Sequence, residues 1–444
     1  MEQTTKEIRE LAQIEQVVNK AKGRLTLAEI TAETGMPIEQ ARQNLNVLLE
    51  RYESKIQMNT ETGDLLFNFV FPLLRRDNIT FKERMIKVGD ILLKVLKAIY
   101  KASVGVVLIA YTIFFVLLIL VASMRSNSDD DNSNHGELLS GLFRAILDII
   151  FYKNVVATTQ SYEYINDGNF GYRQPVKPTT KEKGFLASVF NFVFGPEKIK
   201  YDPNLDALEA IAFIRENNGK LNTSNIVALT GATFDEAESR LAEYIGKYNG
   251  EMYISEDGVV TGEFTQLLHK SNEELRGGTI EYYANEIEPP AEFNGNTTGT
   301  NAIIIVMNTF NLLMSFMLIG YFMQDSLIGF IIGVFPFIVS LLYFLIPLLR
   351  IPSYFIAKKK RRENILRKEA IRSIVWRRGN EVSASKIKIS AKKSVYTQDE
   401  IQNMLLRLAT ELQGEAAIDA EGNGVFQFPR IAKELAKLNT EDNQ

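Results

Sequence analysis

Arg144 and Asp148, both ionisable, sit four apart inside a largely apolar stretch, Leu138 to Ala157. On a helix this spacing brings a guanidinium and a carboxylate together along one face, which lowers the cost of holding either at membrane depth. Such an intramembrane pair could serve an ion or proton path, or be a structural ion pair. Other reactive groups are scarce. The chain has no cysteine, so disulfides, thiolate zinc sites, iron–sulfur ligation through its own thiols and cysteine nucleophiles are excluded. His135 and His269 are its two histidines, too few for a multi-histidine metal centre. Asp129, Asp130 and Asp131 lack the spaced ligands and the glycine of a calcium loop and read as a solvated segment. No Gly-x-x-x-x-Gly-Lys-Ser/Thr phosphate loop, His-Glu-x-x-His zinc helix or Gly-x-Ser-x-Gly elbow occurs. The expectation is a non-enzymatic chain with no cofactor and no metal.

The elements that must position these residues are membrane segments and small water-facing domains. Acids number 54 against 50 bases, a net charge of −4, which excludes a strongly basic nucleic-acid binder as a description of the whole. Mean hydropathy is near zero, but the apolar residues gather in long runs. Ser103 to Met124 carries no charge through its core and is long enough to cross about 30 Å of hydrocarbon. Ala302 to Met323 and Leu327 to Leu349 form a second and third run, joined by Gln324, Asp325 and Ser326, and read as a helical hairpin.

Bases flank the first run (Arg75, Arg76, Lys82, Arg84, Lys87, Lys94, Lys97 and Lys101) and the last (Lys358, Lys359, Lys360, Arg361 and Arg362). The positive-inside rule then puts both ends in the cytoplasm. Three crossings cannot do that, so the segment holding Arg144 and Asp148 is expected to be a fourth, with an interfacial or re-entrant helix as the alternative. The cluster Lys358, Lys359, Lys360, Arg361 and Arg362 is also the candidate contact for anionic lipid, each base near the surface contributing about 1 kcal/mol.

The soluble segments resemble one another. Residues 23 to 45 align without a gap to 219 to 241, matching Gly23 with Gly219, Leu25 with Leu221, Ile30 with Ile226, and Thr34-Gly35 with Thr230-Gly231. A weaker third copy begins near Glu369 and ends in AAIDAEGNGVFQF, a strand, glycine turn and strand. Each copy reads as three helices and a hairpin, the winged-helix arrangement. The fold class is therefore a multi-pass α-helical membrane protein with three small α+β winged-helix-like domains.

The expected layout places the first repeat at 1–72, a basic amphipathic connector at 73–102, the first membrane region at 103–157 and a connector at 158–204. The second repeat follows at 205–268, a linker at 269–301 and the hairpin at 302–349. A basic juxtamembrane segment at 350–366, the third repeat at 367–432 and a disordered tail at 433–444 complete it.

A winged helix that reads DNA presents bases and amides on its third helix. Here that helix offers Glu39, Gln40, Arg42, Gln43, Asn44, Glu50 and Arg51 in the first copy, Asp235, Glu236, Glu238, Glu243, Arg240 and Lys247 in the second, and Asp399, Glu400, Arg407 and Glu411 in the third. These faces are neutral to acidic, so nucleic acid is a poor partner. Trp376 is expected to pack within the first helix of its domain.

Before the second repeat, Lys183 to Asn204 carries Phe185, Phe190, Phe192 and Phe194, too short a run to span, and is expected to anchor at the membrane interface or pack on the bundle. The motif Phe190, Phe192, Phe194, Gly195, then Asp202-Pro203-Asn204 and the repeat with Gly219, resembles a family of membrane proteins of cyanobacteria and chloroplasts that combine winged-helix-like domains with membrane helices. That resemblance implies architecture and brings no catalytic residue. Plant members sometimes carry an iron–sulfur biosynthesis label, which a chain without cysteine does not inherit.

The leading expectation is a cytoplasmic-membrane protein, held in the lipid bilayer, whose domains form a scaffold for protein partners or self-association. A membrane-tethered DNA-binding regulator is the alternative, and a transporter or channel component resting on Arg144 and Asp148 a third.

Overall fold

The computed structural model describes residues 2–58, 65–73, 76, 81–126, 157–161, 179–196, 204–271, 275, 277–321, 326–387, 396–418 and 424–440. His135 and the segment Leu138 to Val156, with Arg144 and Asp148, lie outside them.

The first unit runs α1 (Glu2–Lys20), β1 (Arg24–Thr26), α2 (Leu27–Thr34), α3 (Ile38–Arg51), β2 (Ser54–Met58) and β3 (Leu65–Phe69). Leu11, Ile14 and Val18 of α1 face Ala41, Leu45 and Leu48 of α3 at helical spacing, and all are buried. Thr26 and Glu29 close a capping box at the start of α2, each satisfying the other's backbone N–H. The sheet order β1-β3-β2 leaves β2 as an edge strand.

A single helix, α4 (Phe81–Ser126), follows. At 1.5 Å per residue it is roughly 70 Å long, more than twice the hydrocarbon thickness. The expected connector at 73–102 is thus mostly its first turns. β4 (Ala157–Ser161) pairs with β5 (Thr179–Lys183), and α5 (Phe185–Phe194) follows.

The second unit comprises α6 (Leu205–Glu216), β6 (Lys220–Asn222), α7 (Thr223–Thr230), α8 (Phe234–Lys247), β7 (Glu251–Ile254) and β8 (Val260–Glu263). A strap through 277–297 leads into α9 (Thr298–Tyr321). The chain then turns into α10 (Ser326–Gly329), a π turn (Phe330–Val334) and α11 (Phe335–Trp376). The third unit uses the end of α11 as its first helix, then β9 (Val382–Ser383), α12 (Gln398–Glu411), β10 (Glu415–Ile418), β11 (Gly424–Gln427) and α13 (Pro429–Thr440).

The same backbone device closes each unit. The carbonyl of Gly23 accepts the N–H of Phe69, that of Gly219 the N–H of Phe264, and that of Gly379 the N–H of Phe428, at 2.7, 2.8 and 2.7 Å. These glycines have φ of 90, 84 and 70°, and Lys22, Asn218 and Arg378 before them all lie near +51°. A Cβ on Gly23 or Gly379 would stand 2.3 Å from the carbonyl oxygen it pairs beside, so glycine is required by space as well as by φ. The three sheets share one order, with β7 and β10 at the edges as β2 is in the first. The third unit differs by one turn: a short 3-10 helix (Ala384–Lys386) follows its first strand where the others have eight-residue α-helices.

Among the described residues, three helical stretches are long and apolar enough to cross a membrane: Arg84–Ala122, Thr298–Tyr321 and Leu327–Trp376. They pack around Leu108, Ile304, Met307 and Tyr343. The second and third units share one continuous core, which also takes in Ala32 and Ile38 of the first. All three units therefore gather at one end of the bundle.

Candidate interaction site

Four cations follow one stripe of α11: Arg350, Arg361, Lys368 and Arg372, spaced eleven, seven and four residues apart, which at 3.6 residues per turn keeps them on one side. Each grips the strap. Arg350 donates to the carbonyls of Val193 (3.1 Å) and Phe293, and Arg361 to that of Pro289 (2.8 Å). Lys368, 5% exposed, donates to the Glu286 carbonyl at 3.1 Å and pairs with the carboxylates of Glu286 (3.1 Å) and Glu288 (2.9 Å). Its ammonium also lies 4.8 Å from the Tyr283 ring centre. Arg372 donates to the Ala284 carbonyl. On the opposite side, both backbone N–H groups of Glu281 and Tyr282 point at the Glu209 carboxylate, at 2.6 and 2.7 Å. The expected linker at 269–301 is therefore fastened on both flanks, because irregular backbone placed between packed helices needs side-chain partners for its polar groups.

This arrangement divides the basic cluster. Arg361 is committed to the strap, and Arg362 makes a two-pronged pair with Glu400 at 2.9 and 2.8 Å while stacking on Tyr396. Lys358, Lys359 and Lys360 are exposed. Of the five candidate lipid contacts, these three face outward without being drawn into the strap.

Phe185, Phe190, Phe192 and Phe194 lie on α5, which packs against α4, α9 and α11 at the end of the bundle nearest the units. Phe192 is buried, Phe185 and Phe190 are half-buried and Phe194 is exposed. Tyr100 meets both Phe190 and Phe194 edge-on or tilted, and Lys101 lies over Phe190. The close approach depends on Gly105, where a Cβ would stand 2.7 Å from the Leu186 Cα.

The units are joined by buried polar contacts. Glu29, fully buried, accepts from the backbone and hydroxyl of Ser271, both at 2.7 Å. Arg215 lies buried beside it; burial lowers its guanidinium pKa, and Glu29 and Glu33 oppose that shift. The Tyr248 hydroxyl donates to the Gly35 carbonyl at 3.0 Å. Arg430 pairs with Glu238 at 2.6 Å and with Glu434 at 2.8 Å, and stacks on Phe234. The residues from 433 to 440, expected as tail, are helix, because Ile431 and Glu434 are buried against the second unit.

On the outward faces of the third helices the bases are paired. Arg240 holds Asp206 at 2.6 Å, Lys247 holds Glu243 at 2.5 Å, and Arg407 holds both Glu363 and Glu411. Those two carboxylates raise the Arg407 pKa. A cleft of about 550 Å³ between α11 and α12 is lined by Arg362, Glu363, Glu400 and Arg407, the members of these same pairs. The hairpins differ in character. Edge strand β7 exposes Met252, Tyr253 and Ile254, each at 61 or 62%, β2 exposes Ile56 and Met58, and β10 exposes Ile418.

One expectation needs correction. Trp376 is 62% exposed, since it falls at the last residue of α11 on the side away from the Ile371 and Ile374 core. His269 is half-buried, and its carbonyl accepts from Thr26 at 3.5 Å. The sequence reading missed the α11 stripe beyond Arg362, although its spacing of eleven, seven and four was there to find. It also missed the buried amides Asn308 and Asn311 inside the bundle. No group of three metal-ligating side chains occurs among the described residues. No protein-family model matches the chain, and no curated protein matches it.

Proposed function

We propose that the chain is a multi-pass membrane protein whose three winged-helix-like units form one cytoplasmic scaffold for protein partners or for a second copy of itself. The observation that carries this reading is the shared core of the units together with the apolar edge strands they leave exposed. A joined, inflexible body at the membrane presents three hairpins in fixed relation, and an edge strand with unpaired backbone groups is the natural template for a protein partner. Exposed apolar residues in that position are what a monomer normally avoids.

The path of the chain supports an even number of crossings. α4 leaves the units' end of the bundle and α5 packs back at that same end, so a bilayer-spanning α4 requires a return between residues 127 and 184. Leu138 to Ala157 is the apolar segment available. Both termini then share the side on which Lys358, Lys359 and Lys360 meet anionic head groups. DNA binding fits the third helices poorly, since their bases are spent on carboxylates of the chain itself and the outward faces are neutral to acidic. The resemblance carried by Phe190, Phe192, Phe194 and Gly195 is one of architecture, in keeping with a scaffold.

Purified in mild detergent, the full chain should retain a stoichiometric protein partner or a second copy, and Tyr253→Glu should release it. A strictly monomeric wild-type chain without partner overturns the reading. Labelling of a cysteine at Ser133→Cys from outside intact cells tests the topology separately, in a chain with no competing thiol.

A further inference from the structure

Where Ser103 to Met124 spans the bilayer, residues 81–102 of α4 lie beyond it on the side of the units, an arm of roughly 30 Å at 1.5 Å per residue. The arm carries apolar residues in alternating steps of three and four: Met85, Val88, Leu92, Val95, Ile99, Ala102 and Val106. Such steps hold one stripe in line over three heptads and are the spacing of a coiled-coil seam.

The fold turns this stripe outward. Apart from the small Ala102, its residues, with Ile91 and Leu96 beside them, are 48 to 61% exposed. The opposite side of the helix carries Asp90, Lys94, Lys97 and Lys101. That side meets the rest of the chain, since Arg9 of α1 holds Asp90 at 3.2 Å and the Lys101 ammonium lies over the Phe190 ring. The side chains turned away from the protein are thus aliphatic, where a surface helix ordinarily turns its charges. Past Val106 the stripe ends. An α-helix drifts by about 20° per heptad, and Ile109, next in the series, packs against the core of the bundle.

Half-exposed aliphatic side chains leave open roughly 100 Å² each, so the eight large ones offer about 800 Å², the contribution of one partner to a stable interface. Lipid also covers aliphatic stripes, but only where the helix lies in the plane of the membrane. From Phe81 to Ser126 α4 is one unbroken helix without a proline, so its arm continues the axis of the span and leaves that plane. Two copies in one bilayer share one orientation, and a two-fold axis between them runs along the membrane normal. Their arms then stand parallel, each stripe residue opposite its own counterpart. Lys94, Lys97 and Lys101 point away from such a seam, so pairing brings none of these three cations together.

We propose that Met85 to Val106 is the seam of a homodimer, in which the arms of two α4 helices wind round each other as a parallel coiled coil beside the membrane. This rests on the membrane-spanning part of the reading above and not on the hairpins. With the second copy held by α4, the edge strands are left to a different protein.

Single cysteines placed in the otherwise cysteine-free full chain test the seam. In membranes treated with copper phenanthroline, Leu92→Cys, Val95→Cys and Ile99→Cys should each link two chains by a disulfide. Linking should be at least tenfold slower for Lys94→Cys and Lys97→Cys, which are also exposed. By light scattering in mild detergent, Leu92→Lys should turn the wild-type dimer into a monomer with unchanged circular dichroism. Tyr253→Glu should alter neither result, which separates loss of a hairpin partner from loss of this dimer. Linking that is equal at all five positions, or absent from the three on the stripe, overturns the proposal and means that lipid or another part of the chain covers the stripe. A dimer that Leu92→Lys leaves whole overturns it as well.

Discussion

The Glu434 carboxylate accepts the backbone N–H of Ser224 at 2.6 Å, so the last helix of the chain caps a helix of the second unit 210 residues earlier. The Glu434 carbonyl takes the Asn222 amide at 2.9 Å, and Arg430 holds the other carboxylate oxygen at 2.8 Å. Negative charge at a helix N-terminus meets both its unpaired N–H groups and its dipole. One residue thus fastens the third unit to the second.

Glu434→Ala should cost about 1–3 kcal/mol, the range for losing a charged cap while taking one carboxylate from the half-buried Arg430. Glu434→Gln, which keeps an acceptor but not the charge, should cost less. Thermal melts of the solubilised full chain measure the order. Equal melting of wild type and Glu434→Ala would show that the contact does not hold the units together.

Tyr248 connects the first and second units as Glu434 connects the second and third. Tyr248→Phe removes its hydrogen bond to the Gly35 carbonyl, and should cost about 1–2 kcal/mol because that carbonyl is then buried without a donor. Faster proteolytic release of residues 1–72 than from wild type is the expected result.

Alkaline pH should loosen the same body. Burial raises the phenol of Tyr244 to about 12 and that of Tyr283 to about 12, and it raises Tyr248 as well. A folded pKa above the unfolded value of about 10 means that the native state disfavours the phenolate. The stability tied to each neutral tyrosine is then complete below pH ~10 and is lost as the pH climbs towards ~12. The stake at Tyr244 is roughly 2–3 kcal/mol. Phenolate absorbance should rise in two phases, the second coinciding with loss of near-ultraviolet circular dichroism. A single phase near pH 10 with the fold intact would contradict it.

Lys368 is the most buried of the four cations on the strap. Lys368→Met keeps much of its packing but leaves Glu286 and Glu288 facing each other without a counter-charge, at a cost of about 2–4 kcal/mol. Protease cleavage within 278–297 should quicken markedly, while Lys359→Met, at an exposed position, should leave it unchanged.

What was legible in the residues follows from how local each cause is. The apolar runs, the capping pairs Thr26–Glu29 and Thr233–Glu236, and the Gly23 and Gly219 turns are set by neighbours in sequence, and each is visible as a short pattern. The third unit departs from the repeat because Asn380 and Glu381 stand between its turn glycine, Gly379, and the strand, whereas Gly23 and Gly219 lead directly into theirs. Lys358 to Arg362 read as one cluster, yet Arg361 and Arg362 turn to Pro289 and Glu400, partners 72 and 38 residues away. Asn308 and Asn311 were passed over inside an apolar run whose average hides them. Long-range partners of this kind leave no local signature.

Two glycines of α4 separate helix propensity from helix packing. Gly89 has nothing within 4 Å of where its Cβ would stand, so Gly89→Ala should raise stability by up to about 1 kcal/mol through propensity alone. Gly105→Ala gains the same propensity, but its methyl group would lie 2.7 Å from the Leu186 Cα and 3.0 Å from the Leu186 carbonyl oxygen. Backbone cannot yield as a flexible side chain can, so α5 must move away from α4, taking Phe190 and Phe194 from Tyr100. The net result should be a loss of about 1–3 kcal/mol, typical of overpacking. Detergent-phase melts of the two variants should therefore shift in opposite directions. A parallel shift would mean that α5 is not held where Gly105 admits it, and the aromatic segment would then have to anchor elsewhere.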